Sequence, residues 1–500
     1  MALSTRESPD HRRPRVMGRA GIAAVKAEPG ADGVGRVLYP GFHSGFHPIF
    51  RTMFRRVFAL CLLALFAAAA SAEDQAVAGA GFDVERYRLQ LRPDIQAGTL
   101  SGQMQIFAKA RRDGLEAVVF DAGELEIAHV REDGDDLAFT REGSQLRIRL
   151  PKPARAGTRL RFEIAYSGRP KHGLQFHPQR RELYTIFSTS QWMVCVDAPA
   201  ERAAFELVLI LPRDLRVAAN GRAFPARDIE GGLRAHRWRQ SEPMPSFLYG
   251  FAAAPYHEAV ERQGGTRLRY LSIDLDRERL LKTFADTRDM LRFFEHRAGF
   301  PYRGDYAQVL VARTVGQEMA GLAAISEEYG AKVLDDPQNR ALLAHELAHQ
   351  WWGAALTCRD WGHFWLNEGF ANFMAAAWLE HRFGEAAYRA QVEGWERRVQ
   401  RLRTESVDHP LVYARWFRPT SNDRAVVYQK GAYALHLLRQ RLGEDRFWRG
   451  IRAYTRAHRG GSVTTEDFRR AMERASGENL ADFFAEWVEG SSAREASPGG

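Results

Sequence analysis

Two histidines and two glutamates stand in helical stretches that are otherwise almost wholly apolar. In ALLAHELAHQWWG (341–353), His345, Glu346 and His349 interrupt a run of Ala, Leu and Trp. Good helix formers and the absence of Pro predict a helix here. Buried imidazoles and a buried carboxylate cost on the order of several kcal/mol unless partnered. At a spacing of four, both imidazoles project from one helix face and can bind one metal, with Zn–N bonds of about 2.0–2.1 Å. Glu346, about 100° around the helix, reaches the rim of that site without displacing a ligand, where a general base is needed. A second apolar helix, FWLNEGFANF (364–373), supplies Glu368. Two His and one carboxylate leave a fourth position for water, the pattern of a catalytic zinc site rather than a structural one. Zinc would bring the pKa of water to about 7, and Glu346 would take the proton as hydroxide attacks a carbonyl.

The surrounding sequence must position these groups. From Phe82 to about Pro255 the pattern has period two, as in RYRLQLRP (86–93), GQMQIFAKA (102–110), LRIRL (146–150) and LRFEIAYSG (160–168). Turn-formers separate these runs, so residues 73–255 are expected to form an antiparallel β-sandwich. FELVLILP (205–212) is nearly all apolar and reads as an inner strand. From 256 to 490 helical periods dominate, around one alternating strand, YAQVLVAR (306–313). RAVVYQKGAYALHLLRQRLG and TTEDFRRAMERASG each end in Gly, a helix C-terminal signal. The expected architecture is therefore β, then α+β, closed by a disordered tail over 491–500.

The formal charge of +9 suggests nucleic-acid binding until it is divided along the chain. The first 72 residues carry +6, leaving +3 over the remaining 428 with signs mixed, so no nucleic-acid partner is expected. MFRRVFALCLLALFAAAASAED (53–74) has the basic start, apolar core and small-residue end of a secretory signal peptide, with cleavage expected after Ala72. Its 14-residue apolar run is short of the roughly 20 that a spanning helix needs. No stable membrane span is expected after cleavage, and the product should be periplasmic or extracellular. Residues 1–52 read as a mis-assigned start or a disordered extension, Met53 being the expected start. Of three Cys, Cys195 and Cys358 remain after cleavage, and both are expected as buried free thiols.

The zinc motif, joined to Trp-Leu-Asn-Glu-Gly-Phe-Ala at 365–371, resembles the aminopeptidase N family of zinc metallopeptidases, which includes leukotriene hydrolase. WMVCVDAP (192–199) resembles the first-domain signature of that family. The resemblance covers roughly 82–490 and implies a thermolysin-like catalytic domain, one zinc held by His345, His349 and Glu368, and peptide substrates with a free amino terminus. It also implies that Tyr428, in Tyr-Gln-Lys-Gly, stabilises the oxyanion, and that Glu318 grips the substrate amine. The sequence departs from the family where a Gly-x-Met-Glu-Asn segment is expected. Here the residues are Val315, Gly316, Gln317, Glu318 and Met319, so the Glu remains without its Met and Asn neighbours. Placed just after a strand, the segment can still take a peptide as an added strand. No acidic residue in YTIFSTSQW (184–192) supplies the second amine contact, and no counterpart of the large helical C-terminal domain of many members is found. The rival readings are a zinc endopeptidase, or another hydrolase with weakened amine recognition, and a non-catalytic binding protein of the same fold.

Overall fold

The computed structural model describes residues 77–490, apart from 314, 315, 415 and 417. The expected leader over 1–72 and tail over 491–500 lie outside the described residues. Alternating sequence becomes a β-rich N-terminal domain. Phe82–Asp94 and Thr99–Ala110 pair antiparallel within a nine-stranded sheet, with Tyr87, Leu89, Leu91 and Ile106 turned inward. The apolar strand Arg202–Pro212 lies inside this sheet, between Phe82–Asp94 and Leu233–Pro245. Its pairing with Phe82–Asp94 is parallel, a departure from strict antiparallel order. The intervening chain crosses to a second, three-stranded sheet (Leu115–Asp121, Phe139–Glu142, Gln145–Ala154) and returns in the same direction. The two sheets share one core, in which Phe120 packs edge-on against Phe82 and Phe162.

A five-stranded sheet begins the helical half, in the order His257–Gln263, Thr266–Ser272, Tyr306–Val311, Leu322–Ser326, Gly316–Met319. Tyr306–Val311 reads as an alternating strand but is buried on both faces, Gln308 included, as strands inside a covered sheet are. One face, through Ala307, Val309 and Ala324, packs on Tyr184 and Ala252 from the four-stranded sheet of the preceding domain. The other face, through Tyr306, Leu310 and Ile325, meets the helices. Gly316–Met319 pairs only with Leu322–Ser326, so it is an edge strand.

Several helices are shorter than their periodicity predicts. RERLLKTFADTRDMLRFFEHRAG forms two, Arg277–Thr283 and Thr287–Ala298, the second ended by left-handed Gly299. Cys195 and Cys358 are buried and free, as expected. No helix among the described residues is long and apolar enough to cross a membrane.

Candidate active site

The motif helix runs Ala341–Ala348 and stops at His349, short of the expected Gly353. His349 keeps helical dihedrals and its N–H still reaches the His345 carbonyl at 3.3 Å. Both imidazoles therefore remain one turn apart. Beyond it the chain turns so that His349 Nδ1 lies 3.0 Å from the Trp352 carbonyl. Donation to that carbonyl leaves Nε2 free with its lone pair, the form a metal needs. The turn closes at Gly353 (φ 149°), where a Cβ would press to 3.0 Å from the His349 ring and backbone.

Glu368 lies in the first turn of the helix Trp365–Phe383. The long helix is held against the third motif by glycine-on-glycine contact, since a Cβ on Gly369 would sit 3.0 Å from the Gly431 backbone. That approach brings Tyr428 to the same place. RAVVYQKGAYALHLLRQRLG does not form one helix. Ser421–Ala425 leads into a π-turn, Val426–Lys430, before Gly431–Leu442. Such π-turns re-aim side chains and recur at functional sites. Lys430 fixes this one by donating to Asp408 Oδ1 at 2.7 Å and to the His409 carbonyl at 2.8 Å. Asn372 on the long helix donates to the Tyr428 carbonyl at 3.0 Å. The Tyr428 ring stacks on His345 with centroids 6.1 Å apart.

The outcome is a convergent buried cluster. His345 Nε2 and His349 Nε2 are 3.1 Å apart, and Glu368 Oε2 lies 3.3 and 3.4 Å from them. Zinc bonds of about 2.0–2.1 Å at tetrahedral angles separate ligand atoms by about 3.3–3.4 Å. Glu368 Oε2 has no hydrogen-bond partner, although buried. The three atoms fit zinc. A second triad, Glu318, Glu346 and His349, has its ligand atoms only within 4.8 Å of one another, a looser fit.

The electrostatics point the same way. Burial would raise Glu368, yet the charge of neighbouring His349 and the two imidazoles facing its carboxylate hold it below the usual carboxylate range. Burial would lower His349, but Glu368 and Glu318 outweigh it and hold the ring protonated. Burial pushes Glu346 well above its ordinary value, with Glu318 and Glu368 adding to the effect. Three buried carboxylates thus demand positive charge, which a proton on His349 supplies when no metal ion does. Burial and the carboxylates of Glu368 and Glu318 raise Tyr428, keeping its hydroxyl a donor.

Glu346 abuts the edge strand. A Cβ on Gly316 would collide with Glu346 Oε1, so this position admits glycine because the carboxylate passes against it. Gly316→Ala is therefore expected to push Glu346 aside, keep zinc and lower kcat about a hundredfold, the scale of a misplacement near 1 Å. Metal content and steady-state rates check this; unchanged turnover would contradict it.

The substituted segment shows what sequence reading missed. Gln317, standing where the family Met is expected, donates from Nε2 to Glu318 Oε2 at 2.9 Å. Its Oε1 accepts from the Phe187 N–H at 3.2 Å. Gln317 thus orients Glu318, whose Oε1 remains buried and unpartnered. Met319 instead packs inward, its sulfur 3.5 Å from the Thr185 hydroxyl. Phe187 and Ser188 adopt left-handed backbone, at φ 44° and 45°. Phe187 is 42% exposed and lines the cleft. Strained non-glycine backbone of this kind clusters at binding sites, but neither residue type announces it in the sequence.

The Peptidase M1 N-terminal domain model matches residues 83–248, and the Peptidase family M1 domain model matches 284–487. The chain belongs to peptidase family M1, the aminopeptidase N family. Curated M1 relatives include a probable aminopeptidase 1 of Saccharolobus solfataricus, 24% identical over 81% of this chain and 53% of its own length. Aminopeptidase M1-C of Oryza sativa subsp. japonica is 24% identical over 81% of this chain and 49% of its own. The chain thus spans about half the length of the curated relatives it matches. A mutant M1 zinc metallopeptidase from Deinococcus radiodurans, solved with a Tyr-Ser-Ala substrate, superposes with a TM-score of 0.70 at 25% identity. The match covers 83% of this chain and 96% of that one. A two-domain M1 zinc metallopeptidase bound to L-arginine superposes equally well, with a TM-score of 0.71 at 25% identity over the same shares. The β-rich domain followed by a helical peptidase domain is the two-domain M1 architecture.

Proposed function

We propose that this M1 chain is an exported zinc aminopeptidase, with one zinc per chain held by His345, His349 and Glu368. The observation that carries the reading is the buried trio of carboxylates with unpartnered oxygens on Glu318, Glu346 and Glu368. One metal ion and one substrate ammonium would satisfy the three. The tripeptide bound by the Deinococcus neighbour supports peptides as the substrate class. Export rests on the signal-like pattern of residues 53–72 alone.

When bound, zinc supplies Lewis acidity that polarises a carbonyl and acidifies water. Glu346 takes the proton from the attacking water and returns it to the leaving amine. The Tyr428 hydroxyl donates to the oxygen that gains charge on the carbonyl. Glu318, aimed by Gln317, pairs with the ammonium, and the edge strand Gly316–Met319 offers its free backbone to the peptide.

Elemental analysis together with hydrolysis of an aminoacyl-arylamide tests the proposal. A peptide should be cut far faster than its N-acetylated twin. Glu318→Ala should cost about 2–5 kcal/mol in kcat/KM on free-amine peptides, the scale for truncating one partner of a buried charge pair. Equal cleavage of both twins at internal bonds would make the enzyme an endopeptidase. Full zinc without hydrolysis would make the chain a binding protein.

A further inference from the structure

The cleft extends well beyond the metal-binding cluster. It encloses about 760 Å³, and its only acids among the described residues are the cluster's Glu318, Glu346 and Glu368. Away from that buried end the lining changes character. Ala375 and Ala376 of the long helix and Trp395 of the helix Glu385–Thr404 make a buried apolar floor. The same cleft is also lined by two arginines, the half-buried Arg398 and the exposed Arg424. Arg398 Nη2 donates to Asn422 Oδ1 at 2.9 Å, which holds the side chain in place. Neither arginine has a carboxylate oxygen within 4.0 Å among the described residues. They differ in this from Arg403 and Arg439, which pair with Asp408 and Glu380.

The direction of a bound peptide follows from the proposed function, on which this step rests. With the amine at Glu318 and the reacting carbonyl between the histidine cluster and Tyr428, the leaving portion continues past Tyr428. The helix Ser421–Ala425, which carries Arg424, runs directly into the Tyr428 turn. The leaving portion therefore enters the arginine-lined part of the cleft.

We propose that Arg398 and Arg424 are specificity-determining residues that pair with a carboxylate on the leaving side of the peptide. The preferred substrates are then peptides that place a carboxylate within a few residues of the cut. Two sources share this chemistry: the free C-terminus of a short peptide and an acidic side chain of a longer one. A guanidinium in a partly apolar cleft is favoured for this task, because its planar fork matches a carboxylate and the low-dielectric lining strengthens the pair.

The test compares kcat/KM for a neutral tripeptide acid, its C-terminal amide, and tripeptide amides bearing Asp at the second or third position. The acid, or one of the Asp amides, should exceed the neutral amide on the order of tenfold, mostly through KM. The arm that wins identifies the source. In Arg398→Gln, and further in Arg398→Gln/Arg424→Gln, the ratio should fall towards one. A ratio of one in every arm of the unsubstituted enzyme, or a ratio kept in both variants, overturns the proposal. Calorimetric binding of the same peptides to Glu346→Gln reads the ratio without turnover. Failure to cleave the arylamide would therefore count against the aminopeptidase reading, while the binding ratio still decides the role of the arginines.

Discussion

Glu346→Gln is expected to retain zinc and to lose roughly two to four orders of magnitude in hydrolysis, the range for removing a positioned general base. The amide has the shape of the carboxylate, so the contact with Gly316 and the helix Ala341–Ala348 should survive. What disappears is the ability to accept a proton. Glu346 Oε2 is buried without a hydrogen-bond partner, so an amide there disrupts no existing network. Burial raises Glu346 well above its ordinary value, and substrate and metal charge would draw it back down. Zinc stoichiometry with steady-state kinetics on an aminoacyl-arylamide makes the measurement. A rate near normal would remove Glu346 from the mechanism, and a loss of zinc would make it a ligand of the looser triad instead.

The clustering of His345, His349 and Glu368 was legible because helical periodicity is local. His345 and His349 must share a face at a spacing of four, and an acid inside an apolar helix needs a partner, wherever the helix packs. Tyr306–Val311 and Arg202–Pro212 were likewise visible as strands from local pattern, although the first proves buried on both faces and the second fully on one face only. What escaped depends on contacts distant in sequence. Gln317 looks like the loss of a family residue until Phe187, 130 positions away, is found donating to its amide. The end of the motif helix at His349 is set by the Trp352 carbonyl and by crowding at Gly353, neither of which alters the apolar pattern. The break in the Tyr428 helix likewise comes from tertiary contacts, the Gly369–Gly431 approach and the Lys430–Asp408 bridge. The parallel strand pair in the nine-stranded sheet needed knowledge of which way the chain returns. Periodicity carries no such information.

Glu368→Ala should strip zinc and abolish hydrolysis, and its comparison with Glu318→Ala decides where the metal sits. Two triads share His349: one with His345 and Glu368, the other with Glu318 and Glu346. The first has ligand separations of 3.1–3.4 Å, those of a tetrahedral zinc site. It also pairs an anionic carboxylate with His345, which burial lowers into its uncharged, ligating form. Truncating Glu368 removes the only carboxylate of that triad and leaves two ring nitrogens facing each other without an anion. Glu318→Ala leaves all three ligands intact and should keep full zinc while weakening free-amine peptides. Metal analysis of the two purified variants, beside circular dichroism to establish that both fold, separates the assignments. Zinc lost from Glu318→Ala and kept in Glu368→Ala would place the metal on the other triad. Glu318 would then be a ligand, leaving the substrate ammonium without its partner.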